Sequence, residues 1–156
     1  MANTQAMCTS FKMQLLNGSH AFGAQAANSV RTVTTKDTFK GALFLTTATL
    51  GAATTAYSST GELAATGNYV AGGNAVTNGT APTTSGTVAI WTPDASLVWT
   101  TLTSSGSFDT MLLYNTASTG SLAVGVFTFS AQSITAGTFT LTMPVNASGT
   151  ALIQIS

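Results

Sequence analysis

One imidazole, one thiol and four carboxylates are the whole inventory from which this chain can build acid–base, nucleophilic or metal chemistry. Hydrolysis needs a nucleophile beside a base, or two carboxylates held at a fixed separation. His20 lies between Ser19 and Ala21 in a stretch that reads as loop, and Asp37, Glu62, Asp94 and Asp109 fall far apart in different elements. Serine is plentiful, yet no nucleophile-elbow motif surrounds any of it. Cys8 has no partner for an internal disulfide and reads as an inert, partly buried thiol. One Cys and one His cannot fill a zinc site, no Asp-x-Asp pattern gathers oxygens for calcium, and Gly120 to Gly125 lacks the lysine and following helix of a phosphate loop. No catalytic residue, metal or cofactor is expected, and the chain reads as a non-enzyme.

The remaining functional side chains are aromatic or basic. Trp91, Trp99, Tyr57 and Tyr69 have the types that build a sugar-binding platform, although aromatics in alternating strands more often pack a core or an interface. Of the two tryptophans, Trp91, just before Thr92-Pro93-Asp94, is the one placed to reach a surface. Lys12, Arg31, Lys36 and Lys40 all fall within residues 1–40, with only Asp37 against them. Either the N-terminal quarter meets an acidic surface, or four charges are unevenly scattered. Four basic residues are too few for general nucleic-acid binding.

These groups must be positioned by strands. Phe108 to Phe129 reads as a hairpin: Met111, Leu112, Leu113 and Tyr114 form an unbroken apolar run, as in a strand covered on both faces and central in its sheet. Asn115 to Gly120 carries turn residues. Leu122, Val124 and Val126 then alternate with small residues until the phase slips at Gly125 to Phe127, as a β-bulge produces. Thr38 to Thr47 is a strand with an aromatic on each face. Thr87–Trp91 and Leu97–Leu102 flank a turn at Pro93-Asp94, Phe139, Leu141 and Met143 alternate with Thr, and Ala151, Ile153 and Ile155 close the chain. Between them, Ala52–Tyr57, Glu62-Leu63, Asn68–Ala71 and Ala75–Thr77 are short β-compatible pieces. One short helix is expected at about 10–17, with Ser10 as its cap, Phe11 and Leu15 on one face and Gly18 taking the left-handed conformation that ends it. The fold class is all-β: an antiparallel β-sandwich or jelly roll over residues 38–156, with roughly eight to ten strands, preceded by an N-terminal arm over residues 1–37.

Composition narrows the class of function. Charged residues make up 5% of the chain, against roughly 25% in ordinary soluble domains. Disorder does not explain this, because 44% of residues are hydrophobic and eight are Phe. A membrane span does not either, because no window approaches ~20 consecutive apolar residues. The first residues lack the basic and apolar regions of a secretory signal. A surface of hydroxyl, amide and small apolar groups makes contacts that salt does not screen, while free monomers keep charges on their edge strands. A permanent place in a symmetric assembly is expected.

Taken in order, Ser10-Phe-Lys-Met-Gln-Leu-Leu-Asn-Gly-Ser-His20, Thr38-Phe-Lys-Gly-Ala-Leu-Phe-Leu45, Leu50-Gly-Ala-Ala-Thr-Thr-Ala-Tyr57, Glu62-Leu63, Gly67-Asn-Tyr-Val-Ala-Gly-Gly73 and Leu112-Leu-Tyr-Asn115 resemble small structural proteins of tailed bacteriophage virions, in particular those that decorate or cement the capsid. The resemblance implies a non-enzymatic protein that binds the outside of the expanded capsid as a homo-oligomer, a trimer favoured over a dimer, and bridges neighbouring capsomers. Its partners would be the major capsid protein and its own copies, with no nucleic acid or membrane. Its place would be the virion surface, after assembly in the host cytoplasm. On that reading Lys12, Arg31 and Lys36 of the arm, with Lys40 just beyond it, grip capsid protein. The alternative is a tail-fibre or adhesin module that binds host glycan through exposed Trp91 and Trp99.

Overall fold

The computed structural model describes residues 2–23, 35–64 and 66–156. In chain order the elements are β1 (Ala6–Met7), α1 (Thr9–Leu16), β2 (Phe39–Leu45), β3 (Asn74–Ala75), β4 (Thr83–Ser85), β5 (Val88–Trp91), β6 (Leu97–Leu102), β7 (Phe108–Asn115), β8 (Ala123–Gln132), β9 (Gly137–Leu141) and β10 (Ile153–Ile155). Five strands form one sheet in the order β1-β8-β7-β2-β3, three form a second in the order β10-β5-β4, and β6 pairs with β9. Every pairing is antiparallel, so the fold is all-β and sandwich-like with one short helix.

β7 occupies the centre of the five-stranded sheet, and Thr110 to Asn115 are buried without a break, as the apolar run of Met111 to Tyr114 requires. β8 returns beside it. Their register shifts where Leu113 faces Gly125 and Tyr114 faces Ala123, leaving Val124 as the extra residue just before the expected slip. On the other side β2 pairs along most of its length with β7, from Phe39↔Asn115 to Phe44↔Thr110. Strand alternation puts Phe39, Leu43 and Met111 on one face and Lys40, Phe44 and Tyr114 on the other.

The first face meets the two smaller sheets through aromatic rings. Phe39 lies 6.0 Å from Trp91 of β5, and Phe108 meets Phe139 of β9 edge-on at 5.1 Å. On the opposite face Tyr57 stacks on Tyr114 at 4.5 Å. Tyr57 belongs to the connection from β2 to β3, which is mostly irregular. The pieces expected there as strands reduce to isolated bridges, Phe44↔Glu62, Ala56↔Leu122 and Gly67↔Leu102. The segment's backbone amides donate singly to carbonyls scattered over other elements, as Tyr57 to Ser121, Leu63 to Leu43 and Asn68 to Thr101, or to side chains, as Gly72 to Glu62, so no ladder forms.

Two expectations for the N-terminal quarter change. The helix begins at Thr9 with Cys8 at its N-cap, and Ser10 sits inside the first turn with its hydroxyl buried and unpartnered among the described residues. The Cys8 amide donates to the Val124 carbonyl of β8, which fixes the chain's entry into the helix before Ser10 is reached. Gly18 does end the helix, at φ +65°: Gly18 and Ser19 amides donate to the carbonyls of Leu15 and Gln14, closing the last turn. The described part of the expected N-terminal arm packs on the rest of the chain. β1 extends the main sheet, and Cys8, Phe11 and Phe22 are core residues. Burying two phenylalanines outweighs any extended conformation. Residues 24–34 lie outside the described residues. Among the described residues no helix is long and apolar enough to cross a membrane.

Candidate functional site

Two polar clusters, one buried and one part-buried, gather side chains from distant parts of the chain, and neither has a sequence motif. The first is built on Glu62, which the bridge to Phe44 places against β2. Its Oε2 accepts from the Tyr57 hydroxyl at 2.6 Å, and its Oε1 accepts from the Tyr69 hydroxyl and the Gly72 amide, each at 2.7 Å. The Tyr114 hydroxyl donates to the Gly72 carbonyl at 2.7 Å, and the Tyr69 oxygen in turn accepts from the Leu43 amide of β2. All three tyrosines of the chain thus converge on one buried carboxylate. Burial, followed by the hydrogen bond and charge of Glu62, pushes Tyr57 and Tyr69 far above the ordinary tyrosine range, and burial and the same charge push Tyr114 up to about 12. The arrangement holds protons on the phenols and the irregular connection on the sheet. It presents no nucleophile.

The second cluster joins the N-terminal quarter to the end of β7. The Asn115 side-chain amide donates to Asp37 Oδ2 at 2.6 Å and meets His20 Nδ1 at 3.1 Å, while its Oδ1 accepts from the amides of Ala117 and Ser118. His20 Nε2 lies 2.9 Å from Gln14 Oε1, and its ring meets Phe11 edge-on at 5.0 Å. With Nδ1 facing an NH2 group, the fitting tautomer is neutral and carries its proton on Nε2. Burial holds the His20 pKa below the ordinary imidazole value, opposed in part by the charge of Asp37.

A depressed base has a defined pH signature. The unfolded chain takes up a proton first, so the stability from neutral His20 is full above about pH 6.5, the unfolded value, and is lost as pH falls through the folded-state value. Thermal melts at about pH 7.5 and about pH 5.5 are expected to show wild type losing stability across that window. His20→Phe, less stable at the upper pH, should change less. Equal changes in both proteins would show that His20 is not the titrating group.

The residues singled out from sequence stand apart from one another. Lys12 lies on the exposed side of α1. Lys36 is exposed and donates to the Asn78 carbonyl at 2.7 Å, tying down the loop that also holds Asp94. Lys40 is half-buried on β2 beside Gly72. Arg31 lies outside the described residues. Of the described lysines, Lys36 alone makes a hydrogen bond within the chain, and the three lie on different elements: α1, the segment before β2, and β2. Trp91 and Trp99 are each 2% exposed, which overturns the surface platform: Trp91 packs on Phe22 and Phe39 and donates its indole N–H to the Thr80 carbonyl, and Trp99 stacks on Phe139. Their area is worth more in the core than in solvent. Cys8 is fully buried, with burial pushing its thiol up to about 11.

Sequence reasoning missed Glu62 as an organising residue and Asn115 as a junction. The one available signal was that Glu62 is the sole acid between Asp37 and Asp94, next to a tyrosine-containing stretch on either side. Among the described residues no group of three His, Cys, Asp or Glu side chains is placed to hold a metal ion. No family model, no curated protein and no solved structure matches the chain.

Proposed function

We propose that this chain is a non-enzymatic structural subunit of a tailed-phage virion, which binds the outer capsid surface as a homo-oligomer and cements neighbouring capsomers. The observation that carries the reading is the charge pattern of its exposed strand edges. No charged side chain occurs after Asp109, and β9 and β10, both within that stretch, are edge strands of their sheets. A protein free in solution guards such edges with lysine, inward charge or proline. A subunit whose edges are covered by neighbours has no such need.

The carboxylates support the same reading. Glu62 is buried, Asp37 and Asp109 are half-buried, and all three accept hydrogen bonds from within the chain. Asp94 is exposed but is closed over by the Gly79 and Thr80 amides. Apart from Lys12, Lys36 and Asp94, the described surface is hydroxyl, amide and apolar, and such contacts persist across salt. A ligand that binds only the assembled shell stabilises it by mass action, which is the work of a cement protein. Quantitative mass spectrometry of purified virions tests this. A lattice-wide cement is expected on the order of hundreds of copies per particle, following the symmetry of the shell. A copy number of about a dozen or fewer would assign the chain to the tail instead.

A further inference from the structure

Two layers of the fold end open on the same flank. In the main sheet β1 pairs only with Gly125 and Val126 of β8, so Phe127 to Gln132 have no strand on their outer side. Across the core β9 pairs with β6 alone, and among the described residues no backbone bond from another element reaches it. Phe129 of β8 lies 5.4 Å from Phe139 of β9, while β6 is tied towards β3 by the bond from the Asn74 side chain to the Val98 carbonyl. The free edge of β9 therefore faces the same way as that of β8. Phe127, Phe129, Phe139 and Leu141 line the interior behind this flank, and all four stay half-buried.

A row of edge N–H and C=O groups is matched by another extended backbone, and proteins shorten, charge or interrupt the edges they keep free. β1 and β3 have two residues each, β10 has three, and β4 follows directly on Pro82. The outer side of β6 is occupied by Asn74 and by the bridge of Leu102 to Gly67. β9 has five residues, Gly-Thr-Phe-Thr-Leu, and carries none of these guards. We infer that β9 pairs antiparallel with β9 of a second copy across a two-fold axis, an inference that rests on the homo-oligomeric part of the function proposed above and names its contact. Symmetry and charge select the second copy over a strand of another protein. Antiparallel pairing across a two-fold is self-complementary, so each group the edge presents finds its counterpart. With the axis at the middle residue, Phe139, the exposed Thr138 faces Thr140 of the second copy on the outside, a β-branched pair formed twice. Phe139 then meets its own equivalent at the half-covered interior. No charged residue follows Asp109, so the edge meets itself without like-charge repulsion. Each copy has one such edge, and the contact closes at a dimer.

Sedimentation equilibrium of the purified chain tests the contact. Wild type is expected to dimerise. Thr138→Lys with Thr140→Lys sets lysine against lysine twice across the axis and should weaken the dimer about tenfold or more. Thr138→Lys with Thr140→Glu sets each lysine against a glutamate and should return the dimer to within about threefold of wild type. Both variants carry two substitutions at the same exposed positions, so the second separates a lost contact from a lost fold. Thr84→Lys, on edge strand β4, should leave the dimer unchanged. A wild type that stays monomeric or forms trimers, a dimer indifferent to the two lysines, or a lysine–glutamate variant as weak as the lysine pair overturns the β9 contact. So does a monomer whose binding to genome-filled heads is lost with the two lysines, which would assign the edge to a strand of the shell protein. In each of these cases a virion copy number in the hundreds leaves the cementing function standing, whereas a β9 dimer in a protein present at about a dozen copies or fewer removes that function and keeps the contact.

Discussion

Replacing Glu62 by alanine is expected to cost about 4 kcal/mol of folding stability, because three hydrogen bonds to a charged acceptor are lost and their donors stay buried. Each such bond is worth about 1.5–3 kcal/mol singly, and the three share one acceptor, so they do not simply add. For a chain of this length the loss corresponds to a fall in melting temperature on the order of 10 °C. Glu62→Gln keeps the shape and one carbonyl acceptor for Tyr69 and Gly72, and should lose less than half as much. A second readout isolates the electrostatic part. The tyrosines have folded-state values raised above the ordinary 10, so their contribution to stability is full below about pH 10 and is lost as the pH rises further. Ultraviolet titration of wild type should therefore show no free-tyrosine ionisation until the protein unfolds. In Glu62→Ala the onset should move down, because the hydrogen bond and the charge that raise Tyr57 and Tyr69 are gone. An alanine variant that loses under about 1 kcal/mol would remove Glu62 from the centre of this fold.

The difference between Glu62 and β7 shows what a sequence of this kind discloses. Met111 to Tyr114 is legible because a strand buried on both faces needs consecutive apolar residues, and that need is local. β2 is legible for the same reason, and β9 through its alternation of Phe139 and Leu141 with threonine. The Glu62 cluster is not local. Tyr57 and Tyr69 approach it from either side along an irregular connection, and Tyr114 arrives from the central strand. No period or spacing marks such a meeting, and the connection's backbone bonds go to carbonyls and side chains distant in sequence, such as Ser121 for Tyr57 and Leu43 for Leu63. The docking of the described N-terminal residues is not local either: Phe11 and Phe22 enter the core against Phe39 and Trp91, partners that no spacing announces. For Trp91 and Trp99 the question was which of two uses of a large aromatic applies, and only the packing partners Phe22, Phe39 and Phe139 decide it.

Gly73 is expected to tolerate a methyl group far less well than Gly120, a glycine that shares its left-handed backbone but has open space around it. It takes φ +71° in the turn that carries the chain from the Glu62 cluster into β3, and its amide donates to the Val70 carbonyl. A Cβ there would lie 2.6 Å from Ala42 Cα and closer still to the Gly41 carbonyl oxygen. Both belong to the backbone of β2, which cannot swing aside as a flexible side chain would. Relief requires β3 to lift from β2, breaking the pairing of Asn74 with Gly41 and pulling on the Gly72 amide held by Glu62. Left-handed backbone costs a non-glycine residue about 1–2 kcal/mol, and overpacking adds about 1–3 kcal/mol, so Gly73→Ala should lose about 3–4 kcal/mol. Gly120 supplies the control. Its φ is +87°, yet nothing lies within 4 Å of the added Cβ, so Gly120→Ala should lose only about 1 kcal/mol. Urea unfolding of the two variants measures the gap directly. Equal losses would mean that β3 yields without cost, and that the turn is not the tight junction between the irregular connection and the central sheet.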